Sequence, residues 1–193
     1  MPDLILASTS RYRAALLDRL GLPYKAVAPP YEEENDLPLD PPALVRHLAL
    51  QKAASVRPDY PTAVIIGSDQ VLAIDGGILG KPGTAAAAEA QLGRMSGRQL
   101  DLVTGLCVLD ADGGPHEHVD TVRLHVRDLT PAMIRHYVRR DAPLDCAGSF
   151  KIEALGITLF EAVITTDPSA IEGLPLIALT RLLARLGLDP LNH

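Results

Sequence analysis

Tryptophan is absent from this 193-residue chain, aromatic residues make up only 4% of it, and there are two cysteines. A core with so few rings has to be built from Leu, Val, Ile and Ala. Cys107 and Cys146 lie in apolar or Gly-rich surroundings without ligand or redox spacing. They allow one disulfide at most, and buried reduced thiols are expected. No Lys/Arg-rich run occurs and the net charge is -6, which argues against a nucleic-acid polymer as partner, since that needs a basic stripe. No apolar window reaches membrane-spanning length, so no membrane partner is expected. Met1 to Ala7 has no basic region and too short an apolar run for a leader, which makes the cytoplasm the expected compartment.

What is present reads as one soluble domain, residues 1–193, with two lobes allowed. Hydrophobic residues are 47% and charged residues 22%, enough to bury a large core. Leu4-Ile5-Leu6-Ala7 reads as a short strand, followed by a polar turn, Ser8-Thr9-Ser10, and a helix closed by Gly21. Lys25 to Ala28 reads as a second strand. Asp40 caps a helix that opens on Pro41-Pro42 and runs to about Val56. Ala63-Val64-Ile65-Ile66 has the look of a strand buried on both faces that ends at Gly67-Ser68-Asp69-Gln70. A hairpin follows around Asp75-Gly76-Gly77, then a helix from Thr84 to about Met95. Strands are expected over 99–109, 119–126 and 157–164, and helices after Thr130 and Pro175. Strands alternating with helices, interrupted by hairpins, predict a mixed α/β sheet.

Several stretches carry chemistry. Asp69, at the end of an apolar strand, either acts as a catalytic or metal-holding carboxylate or caps a turn. Gly67 before it lets the backbone turn or come close to a ligand. The Ser8-Thr9-Ser10 turn at a helix start suits an anion, because free N–H groups, the helix dipole and hydroxyls converge there. Arg11 and Arg13 oppose that dipole, so they either face an anionic ligand or are plain surface arginines. The acidic loop Glu32-Glu33-Glu34-Asn35-Asp36 either lies solvated or gathers around a divalent cation. Lys52 continues the apolar stripe of its helix and either snorkels or projects into a cleft. Lys81 follows the hairpin as a phosphate-facing cation.

Other motifs fail. Gly80-Lys81 lacks the upstream Gly of a P-loop, and Pro82 stands where the metal-binding hydroxyl would be. No dinucleotide fingerprint or nucleophile elbow occurs, and neither cysteine has a base beside it. His116-Glu117-His118 sits in an expected turn without a third ligand. The remaining set, Arg13, Lys52 and Lys81 with Glu33, Asp69 and the Ser-rich turn, suits metal-assisted phosphoryl chemistry.

These residues resemble the Maf family of nucleoside triphosphate pyrophosphatases over nearly the whole chain. Leu6-Ala7-Ser8-Thr9-Ser10 with Arg13, Glu32-Glu33, Lys52-Ala53, Gly67-Ser68-Asp69, Gly80-Lys81-Pro82 and Gly173-Leu174-Pro175-Leu176 stand in family order. Within it, Gly67 to Val71, Ala147 to Lys151 and Gly156 to Phe160 are most similar to the 7-methyl-GTP pyrophosphatase subfamily. The dTTP/UTP-cleaving branch commonly has glutamine near the position of Glu153.

The resemblance implies an elongated, Maf/ITPase-like α/β fold with a twisted mixed sheet and flanking helices. Two lobes would enclose a central cleft in an assembly that is often a dimer. It also implies hydrolysis of 7-methyl-GTP to 7-methyl-GMP and diphosphate with Mg, Mn or Co. Asp69 is then the proton acceptor, and Glu33 and Asp69 hold the metal. Ser8, Ser10, Arg13, Lys52 and Lys81 bind the phosphates. Tyr12, Gln70 and Glu153 select the base: Glu153 accepts from the guanine N–H edge, Tyr12 stacks on the cationic ring, and Gln70 donates to O6 or a ribose. The structural alternatives are that Tyr12 covers its helix and Glu153 pairs with Lys151. Other readings are a dTTP/UTP or other modified-nucleotide pyrophosphatase, and a nucleotide-binding regulator of septum formation without turnover.

Three positions depart from the family pattern. Ala14 follows Arg13 where a second arginine is common, so that arginine's role has either moved to Arg11 or been lost. Tyr31-Glu32-Glu33 replaces Val-Asp-Glu, and Ile152 stands where a small polar residue is common.

Overall fold

The computed structural model describes residues 2–32 and 37–192. In chain order they form β1 (Leu4–Ala7), α1 (Arg11–Asp18), β2 (Lys25–Val27), α2 (Pro41–Val56), β3 (Val64–Ile74) and β4 (Gly77–Leu79). There follow α3 (Ala85–Met95), β5 (Gln99–Leu109), β6 (Pro115–Val126), α4 (Pro131–Asp141), β7 (Phe160–Ile164) and α5 (Leu176–Arg185). The strands are hydrogen-bonded in the order β2-β1-β3-β5-β6-β7, with β4 on β3. β1 runs parallel to β2 and β3, whereas β4 and β7 pair antiparallel with their neighbours. The sheet is therefore mixed, as the alternation of strands, helices and hairpins predicts. No helix among the described residues is long and apolar enough to cross a membrane.

The chain divides into two compact units. Met1–Gln70, Thr104–Asp120 and Asp167–His193 make the first; Val71–Val103 and Thr121–Thr166 make the second. In the first unit the central strands are buried on both faces. Leu4, Leu6, Val64, Ile66, Leu106 and Val108 point one way, onto Leu16 and Leu17 of α1 and Leu179, Leu182 and Leu183 of α5. Their chain neighbours Ile5, Ala7, Ile65, Cys107 and Leu109 point the other way, onto Ala49, Ala53 and Val56 of α2. Successive side chains of a strand alternate between faces, so a strand covered on both sides needs an uninterrupted apolar run.

Two glycines set how closely α2 approaches. A Cβ added to Gly67 would lie 2.1 Å from Ala49 O, and one added to Gly105 would lie 2.2 Å from Val45 O. The close approach anticipated at Gly67 is thus to the backbone of α2.

β3 does not end at Ile66. It continues through Gly67-Ser68-Asp69-Gln70 to Ile74, which places Asp69 in the middle of a strand. Polar residues in an apolar run read as its end; here they stay in the strand because their side chains find partners within the first unit. β6 likewise begins at Pro115, so His116 and His118 lie in a strand rather than a turn. Residues Leu155–Leu159 form a 3₁₀ turn before β7, which starts at Phe160 and not at Ile157.

In the second unit β3 and β4 meet in a two-residue turn at Asp75 and Gly76, both with positive φ (52° and 75°). α3 packs against α4. The loop at Gly148 (φ 74°) lies so tightly on β3 that a Cβ there would come within 2.2 Å of Leu72 Cδ2. Hydroxyls cap both helices: Thr84 accepts from Ala87 N and Thr130 from Met133 N.

Replacing Gly67 with Ala forces α2 off the sheet. Urea unfolding of the whole protein should show a loss of about 2–3 kcal/mol, the cost of overpacking a tight contact. An unchanged midpoint would mean that α2 yields freely at this point.

Candidate active site

The first unit gathers polar groups at the middle of β3. Lys52 lies on the fourth turn of α2, four residues after Leu48, and α2 runs close along β3 because Gly67 has no side chain. Its Nζ donates to Asp69 Oδ1 at 2.5 Å, and the two side chains are only 9% and 10% exposed. A lysine at the edge of an apolar stripe has thus reached a carboxylate inside the fold. Burying either charge alone would cost several kcal/mol, so each holds the other in place. Asp69 is not a turn cap.

Beside it, Ser68 is fully buried and shares its single hydroxyl proton between Gly105 O and Gly173 O, each at 2.9 Å. Arg13 Nε donates to the same Gly173 O at 2.9 Å. Gln70 Nε2 donates to Thr104 Oγ1 and to Ala170 O, both at 2.8 Å. The segment carrying Ala170 and Gly173 is fixed by Asp167, whose Oδ2 accepts from Ile177 N and Ala178 N at the start of α5. Ser169 reinforces it, donating to Asp167 Oδ1 at 2.6 Å and accepting from Leu176 N at 2.7 Å.

The Ser-rich turn is also built as a unit. Ser10 caps α1 by accepting from Arg13 N, and Ser8 Oγ accepts from Ser10 N at 3.1 Å. Both oxygens act as acceptors in these bonds, which leaves each hydroxyl its own proton to donate. Tyr12 carries Arg11 on it: Arg11 Nη2 donates to the Tyr12 hydroxyl at 2.9 Å, and its guanidinium carbon lies 4.9 Å from the ring centre. A cation already rests on the ring that was expected to take a cationic base.

Other expected residues lie elsewhere. Lys81 is exposed, just beyond β4 in the second unit, and so is Glu153. Lys151 does not pair with Glu153. It donates to the carbonyls of Asp141 and Ala142 at the end of α4, at 3.0 and 3.2 Å, and lies 3.9 Å from Asp145. Glu33, like Glu34, Asn35 and Asp36, lies outside the described residues. His116 and His118 face different carboxylates, Asp110 at 3.0 Å and Asp120 at 3.6 Å. Bonds from His116 and from Gly114 N hold the Asp110 carboxyl below its usual range. Burial raises the Cys107 thiol to about 12 and the Cys146 thiol to about 11, so neither is a thiolate nucleophile near neutral pH.

The described residues form no cluster of three or more metal-ligating side chains. Ser68, Thr104 and the Ala170 carbonyl do not stand out as site residues from the sequence. For Thr104 the only signal is a hydroxyl inside the apolar run Leu102-Val103-Thr104-Gly105-Leu106.

A family profile described as "Maf-like protein" matches residues 3–186. The chain belongs to the Maf family. Among similar relatives of this family member is a protein named 7-methyl-GTP pyrophosphatase from Chromohalobacter salexigens, 51% identical over all of both chains. Proteins of the same name from Xanthomonas campestris and Bordetella avium are 49% and 47% identical; the matches cover 97% and 99% of this chain and 97% and 96% of theirs. In fold, the Staphylococcus aureus Ham1 protein superposes with a TM-score of 0.49 at 14% identity, over 65% of this chain and 72% of that one.

Lys52→Met leaves the Asp69 carboxylate buried without its cation. It should lower stability by about 3 kcal/mol, and the Lys52→Met, Asp69→Asn double substitution should regain part of that loss. For the same reason Asp69→Asn by itself should cost measurable stability as well. Additive losses in the double-mutant cycle would show that the two side chains do not depend on each other.

Proposed function

We propose that this protein is a nucleoside triphosphate pyrophosphatase that hydrolyses 7-methyl-GTP to 7-methyl-GMP and diphosphate. The observation that carries this reading is the buried Lys52–Asp69 pair, in a chain about half identical, end to end, to relatives of that name.

In this reading water attacks the α-phosphorus and diphosphate leaves. Lys52 uses Nζ on Asp69 Oδ1, which turns Oδ2 toward the work of orienting the water and accepting its proton. The pair is held rigidly between α2 and β3, so orientation costs no reorganisation at the moment of reaction. Ser8 and Ser10 donate their hydroxyl protons to phosphate oxygens at the positive end of α1. Arg13, whose Nε donates to Gly173 O, supplies a cation for the phosphates, with Lys81 as a further one. Glu153 takes the donor edge of the base.

Asp69 and Glu33 would hold a hard divalent cation, because carboxylate oxygens are the donors such an ion prefers. When bound, such an ion neutralises charge developing on the phosphates.

The test is diphosphate release from a panel of 7-methyl-GTP, GTP, dTTP, UTP and ATP with Mg²⁺, Mn²⁺ and Co²⁺. The fastest turnover should be on 7-methyl-GTP, require a cation, and fall by about a thousandfold or more in Asp69→Asn. A stronger response to UTP or dTTP would move the substrate to the pyrimidine branch. Tight nucleotide binding without diphosphate release would favour a regulator.

A further inference from the structure

In the second unit a single side chain of α3 holds two loops at once. Gln91 Nε2 donates to Gly80 O at 3.1 Å, and Gln91 Oε1 accepts from Ser149 Oγ at 2.5 Å. A carbonyl oxygen only accepts, so the amide nitrogen has to face Gly80. The amide oxygen is then left for the hydroxyl, and each end of the amide has its own partner. These two loops carry the site residues expected in this unit. Lys81 follows Gly80 directly, and Glu153 stands four residues beyond Ser149.

The loop at Lys81 has little stiffness of its own. Glycines stand on both sides of it, Gly80 and Gly83, the second with φ +69°, and glycine gives a backbone its greatest freedom. Lys81 is exposed, so burial does not hold it either. Among the described residues two hydrogen bonds tie residues 80–83 down, one on each side of Lys81. One is the bond from Gln91 to Gly80 O; the other runs from Gly83 N to Leu144 O at 3.0 Å.

The loop at Ser149 is the reverse. Ser149 is fully buried at φ +62°, a conformation that disfavours a side chain. Gly148 before it lies tightly on Leu72. After it, Phe150 packs edge-on against Phe160 with ring centres 5.0 Å apart, and Lys151 N donates to the Tyr137 hydroxyl at 3.0 Å. An uncommon backbone conformation persists only where its surroundings over-determine it. Ser149 is thus a fixed anchor, and Gln91 carries that fixity across to Gly80.

We propose that Gln91 is a positioning residue, which bridges the buried Ser149 loop to Gly80 and so holds Lys81 ready for the phosphates of the substrate. The inference rests on the nucleotide reading above and adds what orders one of its cations. A lysine whose backbone is fixed in advance loses less freedom when the phosphates arrive. Those phosphates are charged before the reaction as well as during it. Loss of the bridge therefore weakens the hold on substrate and transition state alike, which raises KM and spares kcat.

The test is diphosphate release from 7-methyl-GTP by the whole protein, with KM and kcat determined separately. Gln91→Met keeps the length of the side chain and removes both bonds. Its KM should rise about tenfold, the equivalent of one hydrogen bond, with kcat within about twofold. Lys81→Met should raise KM at least as far, and Gln91→Met added to it should raise it no further, because Gln91 acts through Lys81. A purely structural role would instead add in the double variant. Ser149→Gly removes the hydroxyl and relieves the positive φ, so it is the independent variant if Gln91→Met does not fold, and its KM should rise too. An unchanged KM in any folded single variant, or additive rises in the double variant, overturns the proposal; diphosphate release by the wild-type chain would then leave the proposed function standing. No diphosphate release by the wild-type chain from any triphosphate would overturn both.

Discussion

The chemistry of the first unit depends on one contact, the ammonium of Lys52 against the carboxylate of Asp69 at 2.5 Å, nine-tenths out of water. Such a pair is stable only if its geometry is good and neither member is left alone. That geometry is set by backbone. Gly67 and Gly105 let α2 lie against β3 and β5 at a distance no side chain would allow, and this brings Lys52 on α2 to the middle of β3. The two glycines are therefore as much a part of the candidate site as the charges they bring together.

A second convergence lies at Gly173. Its carbonyl accepts from Arg13 and Ser68, while its bare α-carbon faces Arg13 and Gln70. The segment that carries it is pinned by Asp167 and Ser169 to the start of α5. The N-terminal helix, the central strand and the C-terminal segment meet here, with Arg13 bonded to an oxygen 160 positions along the chain. Thr104, from β5, accepts from the amide of Gln70, as does the Ala170 carbonyl. A polar cluster of this kind specifies one arrangement because every member is satisfied only in that arrangement.

Much of the fold was legible before the structure. Asp40 with Pro41-Pro42, Thr84 and Thr130 mark helix starts through local hydrogen bonding alone, and Asp75-Gly76 marks its turn through positive φ. Signals of that kind survive in the sequence because their causes lie within four residues. The end of β3 was misread for the converse reason: whether Ser68, Asp69 and Gln70 can stay in a strand depends on partners 17 to 105 residues away. His116 and His118 likewise become strand residues by pairing of β6, not by local preference.

Of the candidate site, the residue types and their order along the chain were enough to place the protein in its family and to single out Asp69, Lys52, Arg13 and Gln70. Their roles toward one another were not written there. That Lys52 meets Asp69, that Arg11 rests on Tyr12, and that Lys151 turns to the end of α4 are outcomes of packing. Above all, the direction of the Gln70 amide is fixed by a carbonyl 100 residues away and a hydroxyl in another strand. A sequence names which donors and acceptors exist; only the folded chain decides which are already used and which are left to face a ligand.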